Sequence, residues 1–336
     1  MIRIKRTDID DIANYWADKL MDFLSYKKLK SYRTFFYNAC DEKDYEAVSR
    51  ITKINTWLWI ERFLAKREHL IGDRQFFNRW LVFQNAHIKI HPLKAPLKDT
   101  FERIYKDFSA KNAYDIFQKL GVRTCPYCNR HYTFTLNSET GKFKTRPQFE
   151  HFHDKATYPF FAVTFFNLVP SCGECNLGKR NNPCGVNPYF DDFKSKFIIV
   201  KPVQEVTKEL GTEKLNVNEI LNISSEEDFS VNFDSTPNGT PSEDEEKNIE
   251  TLGLRPLYNM HKDYVMEIVE KAAAYGVGTR EGIVDRFQGL YHSETDVYNL
   301  IFGKYLSDAE QPKRPLSKLT ADILDQLGIR PQQPTP

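Results

Sequence analysis

Residues 124–132 read TCPYCNRHY and residues 171–182 read SCGECNLGKRNN, two Cys-x-x-Cys turns that carry Cys125, Cys128, Cys172 and Cys175. Each turn presents two thiolates at neighbouring corners of a tetrahedron, so the two together can close a four-cysteine site for structural Zn²⁺. The competing reading, a redox dithiol, needs a strand feeding a long helix at the motif, and neither turn has that setting. Residues 129–171 lie between the turns, more than the roughly 15–20 residues of a simple zinc ribbon, so a substantial element is inserted. The insert includes FEHFHDKATYPFF at 149–161, and NLVPS at 167–171 leads into the second turn.

Taken in order, these stretches resemble the HNH (His-Asn-His) endonucleases, over roughly residues 97–190. CPYCNRHYT, KATYP and SCGECNLGK are similar to the bacterial members encoded beside ATPases in defence loci. The resemblance implies a zinc-clamped ββα-metal nuclease core, with Glu150 and His151 on the acidic-His pair, Asn167 as the middle Asn and Asn176 at the last position. It further implies a metal-dependent endonuclease acting on DNA, an anti-phage role and an ATPase partner.

The residue chemistry fits that scheme. His151, of ordinary pKa about 6.5, is the expected general base. Glu150 and the side-chain oxygen of Asn176 are hard donors that suit Mg²⁺ or Mn²⁺. Asn167 is expected to orient His151 by hydrogen bonding. Lys179 and Arg180, one helical turn past Asn176, are expected at phosphates. The sequence departs from the family in having Glu where Asp is commoner at 150, and in its His153-Asp154 pair. Consecutive strand residues face opposite sides, so Glu150 and His151 converge on one ion only at a strand end or bulge, whereas His151 and His153 share a face. His153 is thus either a further ligand or a surface histidine.

Outward from this core the chain reads as α+β and mainly helical. Ile9, Ile12, Trp16, Leu20 and Phe23, and Leu97, Phe101, Ile104 and Phe108, recur at helical steps, with Asp8 and Asp99 as caps or first-turn acids. NAYDIFQK at 112–119 reads as a last helix before Gly121, and HIKIH at 87–91 as a strand. KFIIV (196–200) and FSVNF (229–233) read as strands, PSEDEEKNIETL as a helix start, and Leu257, His261, Tyr264, Ile268 and Ala272 as one amphipathic helix. The expected layout is a helical region at 1–120, the nuclease core at 121–200, a small β element with helices at 201–330, and a disordered tail at 331–336.

With 336 residues, 40% hydrophobic and 14% aromatic, the chain can bury a large core, which excludes a mainly disordered protein. No apolar run approaches a bilayer span, and the N-terminus turns acidic where an export signal would be apolar, so a cytoplasmic location with no membrane partner is expected. The net charge of +1 hides a basic excess before residue 200 and an acidic one over 201–250. Lys142, Lys144 and Arg146 alternate ahead of Glu150, reading either as a phosphate track or as a solubilising strand edge. A zinc module that binds nucleic acid without cutting it, or a scaffold that binds a partner through its helical flanks, would keep the cysteines but have no need of Glu150, His151 and Asn176 together.

Overall fold

A computed structural model describes residues 1–40, 52–87, 94–138, 143–202, 213–234, 240–275, 282, 286 and 294–331. The chain is mixed helix and sheet, mainly helical. Its front region holds α1 (Ile9–Phe23), α2 (Tyr26–Asn38), α3 (Thr52–Leu64), α4 (Arg67–Ile71), α5 (Arg74–His87) and α6 (Lys94–Leu120). The expected stripes are the buried ones: Ile12, Trp16 and Leu20 on α1, and Leu97, Phe101, Ile104 and Phe108 on α6.

Three expectations are corrected here. Residues 112–119 are not a separate helix but the end of α6, because no glycine or proline interrupts the chain after Pro96 in its first turn. The helix stops at Gly121, whose φ of 58° suits glycine. Asp8 precedes α1 without capping it, since Arg6 holds its carboxylate at 2.8 and 2.7 Å, and Asp99 lies inside α6 rather than at its start. His87 ends a helix instead of opening a strand; residues 88–93, His91 included, lie outside the described residues.

The strands form three antiparallel pairs among the described residues: β1 (Leu136–Asn137) with β2 (Lys144–Thr145), β3 (Gln148–His151) with β4 (Leu168–Ser171), and β5 (Lys196–Val200) with β6 (Ser230–Asp234). In the central pair Glu150 lies opposite Val169 and His151 opposite Leu168. A short helix, α7 (Gly173–Lys179), follows β4 directly. One face of β3 is seated on the front helices, with Phe149 stacked on Phe117 of α6 at 3.9 Å between centroids and against Trp16 of α1 at 5.7 Å.

The rear region contains α8 (Val217–Leu221), α9 (Glu243–Thr251), α10 (Leu254–Asn259), α11 (Lys262–Ala274), α12 (Glu294–Phe302) and α13 (Ser317–Gln326). Ser242 and Glu245 cap α9 reciprocally, and Glu243, Asp244 and Glu246 sit in the same first turn, where the helix dipole favours acids. The single helix expected over 257–272 is broken at Met260 and His261, with His261 preceding α11. Buried apolar residues from front, centre and rear form one continuous core. Among the described residues no helix is long and apolar enough to cross a membrane; residues 332–336 of the expected tail lie outside them.

Candidate metal centre and the histidine pocket

The sulfurs of Cys125, Cys128, Cys172 and Cys175 are buried and lie within 4.8 Å of one another. Four sulfurs held about 2.3 Å from a tetrahedral zinc would be about 3.8 Å apart, and Cys128 Sγ to Cys172 Sγ measures 3.8 Å. The first turn is shaped by Asn129, whose φ of 50° is a left-handed conformation that asparagine tolerates. This turn closes through Asn129 N–H to the Cys125 carbonyl at 2.7 Å and Arg130 N–H to Cys128 Sγ at 3.3 Å. The second turn is the start of α7, where Cys172 caps the helix and accepts from Cys175 N–H. The four cysteines are thus positioned to hold a metal ion, as structural zinc requires. Cys184, buried and with its thiol pushed up to about 12 by desolvation, is outside this cluster.

Strand β3 and helix α7 meet at Glu150 and Lys179. Lys179 Nζ lies 2.8 Å from Glu150 Oε1 and donates to the His151 carbonyl at 2.9 Å, with no exposed side-chain surface. Tyr127 of the first turn donates to Glu150 Oε2 at 2.7 Å. Burial raises the Glu150 carboxyl above its ordinary value, and Lys179 and Tyr127 pull it back. Both carboxylate oxygens therefore have partners inside the protein. The cation facing Glu150 is the chain's own ammonium, and Lys179 reaches no surface from which to meet a phosphate. Asn176 points the other way along the strand, where its side-chain amide donates to Gln148.

On the opposite face of β3, His151 packs edge-on against Tyr105 of α6 at 4.7 Å. Its Nε2 lies 3.2 Å from the Ala162 carbonyl. A carbonyl only accepts, so Nε2 carries the hydrogen and the neutral ring keeps its lone pair on Nδ1. Desolvation, reinforced by the charges of Lys155 and Lys179, lowers its pKa to about 3. His153 is lowered to about 4, chiefly by burial, and sits among Phe77, Phe152, Tyr158 and Phe161. Asn167 does not touch the His151 ring as expected. Its Oδ1 accepts from His153 N–H at 2.7 Å and its Nδ2 donates to the His153 and Phe161 carbonyls at 3.0 Å each. It clamps the connection between β3 and β4 and so fixes the backbone from which His151 projects.

The chain is similar to protein ea31 of Escherichia phage lambda, at 30% identity over 107 residues, 29% of this chain and 32% of that protein. It therefore spans about a third of that relative's length. No family model matches the chain, and no solved structure matches it.

Around this framework, the expected basic residues fall in different places. Lys144 and Arg146 both lean over Tyr114 of α6, at 6.0 and 5.6 Å, sharing a side as their alternation implied. Lys142 lies outside the described residues. Arg180 is exposed at the end of α7 with a left-handed φ of 49°. Two residues around β3 escaped the sequence reading, Tyr127 on the Glu150 face and Lys155 beside His151. Tyr127 lies between the first two cysteines, the one available signal for it; Lys155 opens the KATYP stretch, where a lysine near a candidate base was visible, and lies 5.7 Å over Tyr105. His261, which the sequence places on the apolar stripe of one helix, accepts from Arg130 Nε at 3.0 Å, tying the rear helices to the first turn.

Proposed function

We propose that the chain is an HNH-type endonuclease that hydrolyses phosphodiester bonds in DNA. The observation that carries the reading is the orientation of His151, whose Nε2 faces the Ala162 carbonyl so that its Nδ1 lone pair is the atom able to take a proton from water; burial makes it a weaker base than a free imidazole. The strand–strand–helix order around it, with cysteine pairs before and after, supports the same reading. Lys155, which also faces Glu102 at 3.9 Å, brings positive charge beside that base that a phosphoryl oxygen could meet. A catalytic Mg²⁺ or Mn²⁺ at Glu150 and Asn176 does not fit the arrangement described, because Lys179 and Tyr127 already occupy both Glu150 oxygens. The anti-phage role and the ATPase partner extend this proposal through the resemblance alone.

The Glu150–Lys179 pair favours a second reading, a zinc-containing module that binds nucleic acid without cutting it. Nicking of supercoiled plasmid, with Mg²⁺, Mn²⁺ or chelator, separates the two. The nuclease reading expects nicking by the wild type and a loss of about 10²–10⁴-fold in His151→Asn, the usual contribution of a positioned base. Plasmid bound but never cut, or full activity in His151→Asn, refutes it.

A further inference from the structure

Beside the second cysteine turn lies a groove of about 530 Å³, lined by residues of the first turn's exit, β3 and the start of α7. On one wall Tyr132 and Phe134 are stacked, with centroids 4.5 Å apart and rings 20° from parallel. They are 49% and 44% exposed, and Leu136, two residues on, is 51% exposed. The three alternate with Thr133 and Thr135 along an extended segment, so they share one face. Large rings stacked on each other and left open to solvent are unusual for a surface with no partner. Arg123 lies 5.7 Å from the Phe134 ring, and Arg146 lines the groove. The opposite wall holds Ser171, whose Oγ is buried with no hydrogen-bond partner, and Gln148, whose Oε1 is taken by Asn176. The acid of the groove, Glu174, is already paired with Arg130 at 3.1 Å.

We propose that this groove binds an unpaired nucleobase of single-stranded nucleic acid, which extends the Tyr132–Phe134 stack while Ser171 and Gln148 meet its edge and Arg123 and Arg146 meet the flanking phosphates. The choice of nucleic acid rests on the function proposed above. Charge decides against a basic or apolar peptide, because the groups at the groove without a carboxylate partner are arginines, and the stacked aromatic wall, a flat face that every base can cover, favours a nucleobase over an acidic peptide.

The test is fluorescence anisotropy with a labelled oligothymidylate and with an oligomer of equal length and charge whose sugars lack bases, in buffer without added Mg²⁺ or Mn²⁺. The wild type is expected to prefer the thymidylate by about tenfold or more. Tyr132→Ala and Phe134→Ala should each erode that preference while leaving affinity for the baseless oligomer unchanged, and Tyr132→Phe should retain it. Both rings are half exposed, so these variants are expected to fold, which thermal melting verifies. Equal affinity of the wild type for the two oligomers, or alanine variants that keep the preference, overturns the groove. Because the assay reads binding alone, a protein that fails to nick plasmid can still sustain this inference, and one that nicks plasmid without base-dependent binding refutes it while leaving the nuclease reading intact.

Discussion

Replacing Lys179 by Met removes the cation from a carboxylate that has 3% of its side-chain surface exposed. Breaking a buried pair on one side leaves an uncompensated charge, at about 3–5 kcal/mol. The geometry sets a ceiling on that cost. Glu150 retains the Tyr127 hydroxyl, and a stranded carboxylate can escape by taking up a proton. For a group whose unfolded value is about 4.3, protonation at pH 7 costs about 4 kcal/mol, and at pH 5 about 1 kcal/mol. Lys179→Met raises the folded pKa of Glu150, so the destabilisation is full at neutral pH and fades as pH falls toward the unfolded value. Loss of the Lys179 bond to the His151 carbonyl adds about 1 kcal/mol at either pH. Urea unfolding of wild type and variant at pH 7 and pH 5, zinc present, should therefore show a difference of about 4–5 kcal/mol shrinking to about 2 kcal/mol. The double variant Glu150→Gln, Lys179→Met should recover most of the loss at pH 7. A loss that is independent of pH, or a double variant no more stable than Lys179→Met, would refute the buried pair.

Metal analysis should find about one tightly held Zn²⁺ per chain, and Cys172→Ser should lose it and fail to fold, because ligand loss removes folding free energy; a soluble, well-folded, zinc-free variant would remove the structural role. Acid should destabilise the protein before any carboxylate effect is reached: His151 and His153, lowered to about 3 and about 4, stay neutral in the native state while the unfolded chain protonates below about 6.5, so stability falls by up to about 4 kcal/mol between pH 6.5 and pH 5. His151→Asn should flatten that slope by about half, as read from melting temperature against pH.

What was legible in the sequence follows physical lines. Ile12, Trp16 and Leu20, or Phe101, Ile104 and Phe108, announce their burial through helical spacing, and KFIIV coincides with β5 because a β-branched run has few alternatives. The cysteines were legible because thiols in two matched turns have few uses other than a shared metal. Glu150 was not. A carboxylate beside a histidine looks the same in sequence whether it faces a cation from solvent or a lysine of its own chain, and only the packing of α7 on β3 decides between them. The alternation of Tyr132, Phe134 and Leu136 with threonines was a readable strand-like signal, but its apolar face turns outward and not into the core.

The first cysteine turn does more than supply two sulfurs. The chain start docks on it through Ile2 N–H to the Pro126 carbonyl at 2.8 Å. From the rear, Tyr258 donates to the Cys128 carbonyl, and Leu316 and Lys318 N–H groups donate to the backbone and side-chain oxygens of Asn129 at 2.6 and 3.1 Å. Arg130 reaches both Glu174 on α7 and His261 ahead of α11. Segments from both ends of the chain therefore meet at the loop that a bound metal would fix. Since three of these acceptors, the Pro126, Cys128 and Asn129 carbonyls, are backbone groups of a nearly closed turn, their hydrogen bonds depend on the turn keeping one shape, and metal loss would leave several buried acceptors without donors at once. That coupling, together with the continuous core, explains why the β3–β4–α7 unit is embedded between helical regions: Phe149 and His151 need α1 and α6 on one face of the strand, Glu150 needs α7 on the other, and the cysteine turn that supplies Tyr127 to Glu150 is itself braced by α10 and α13.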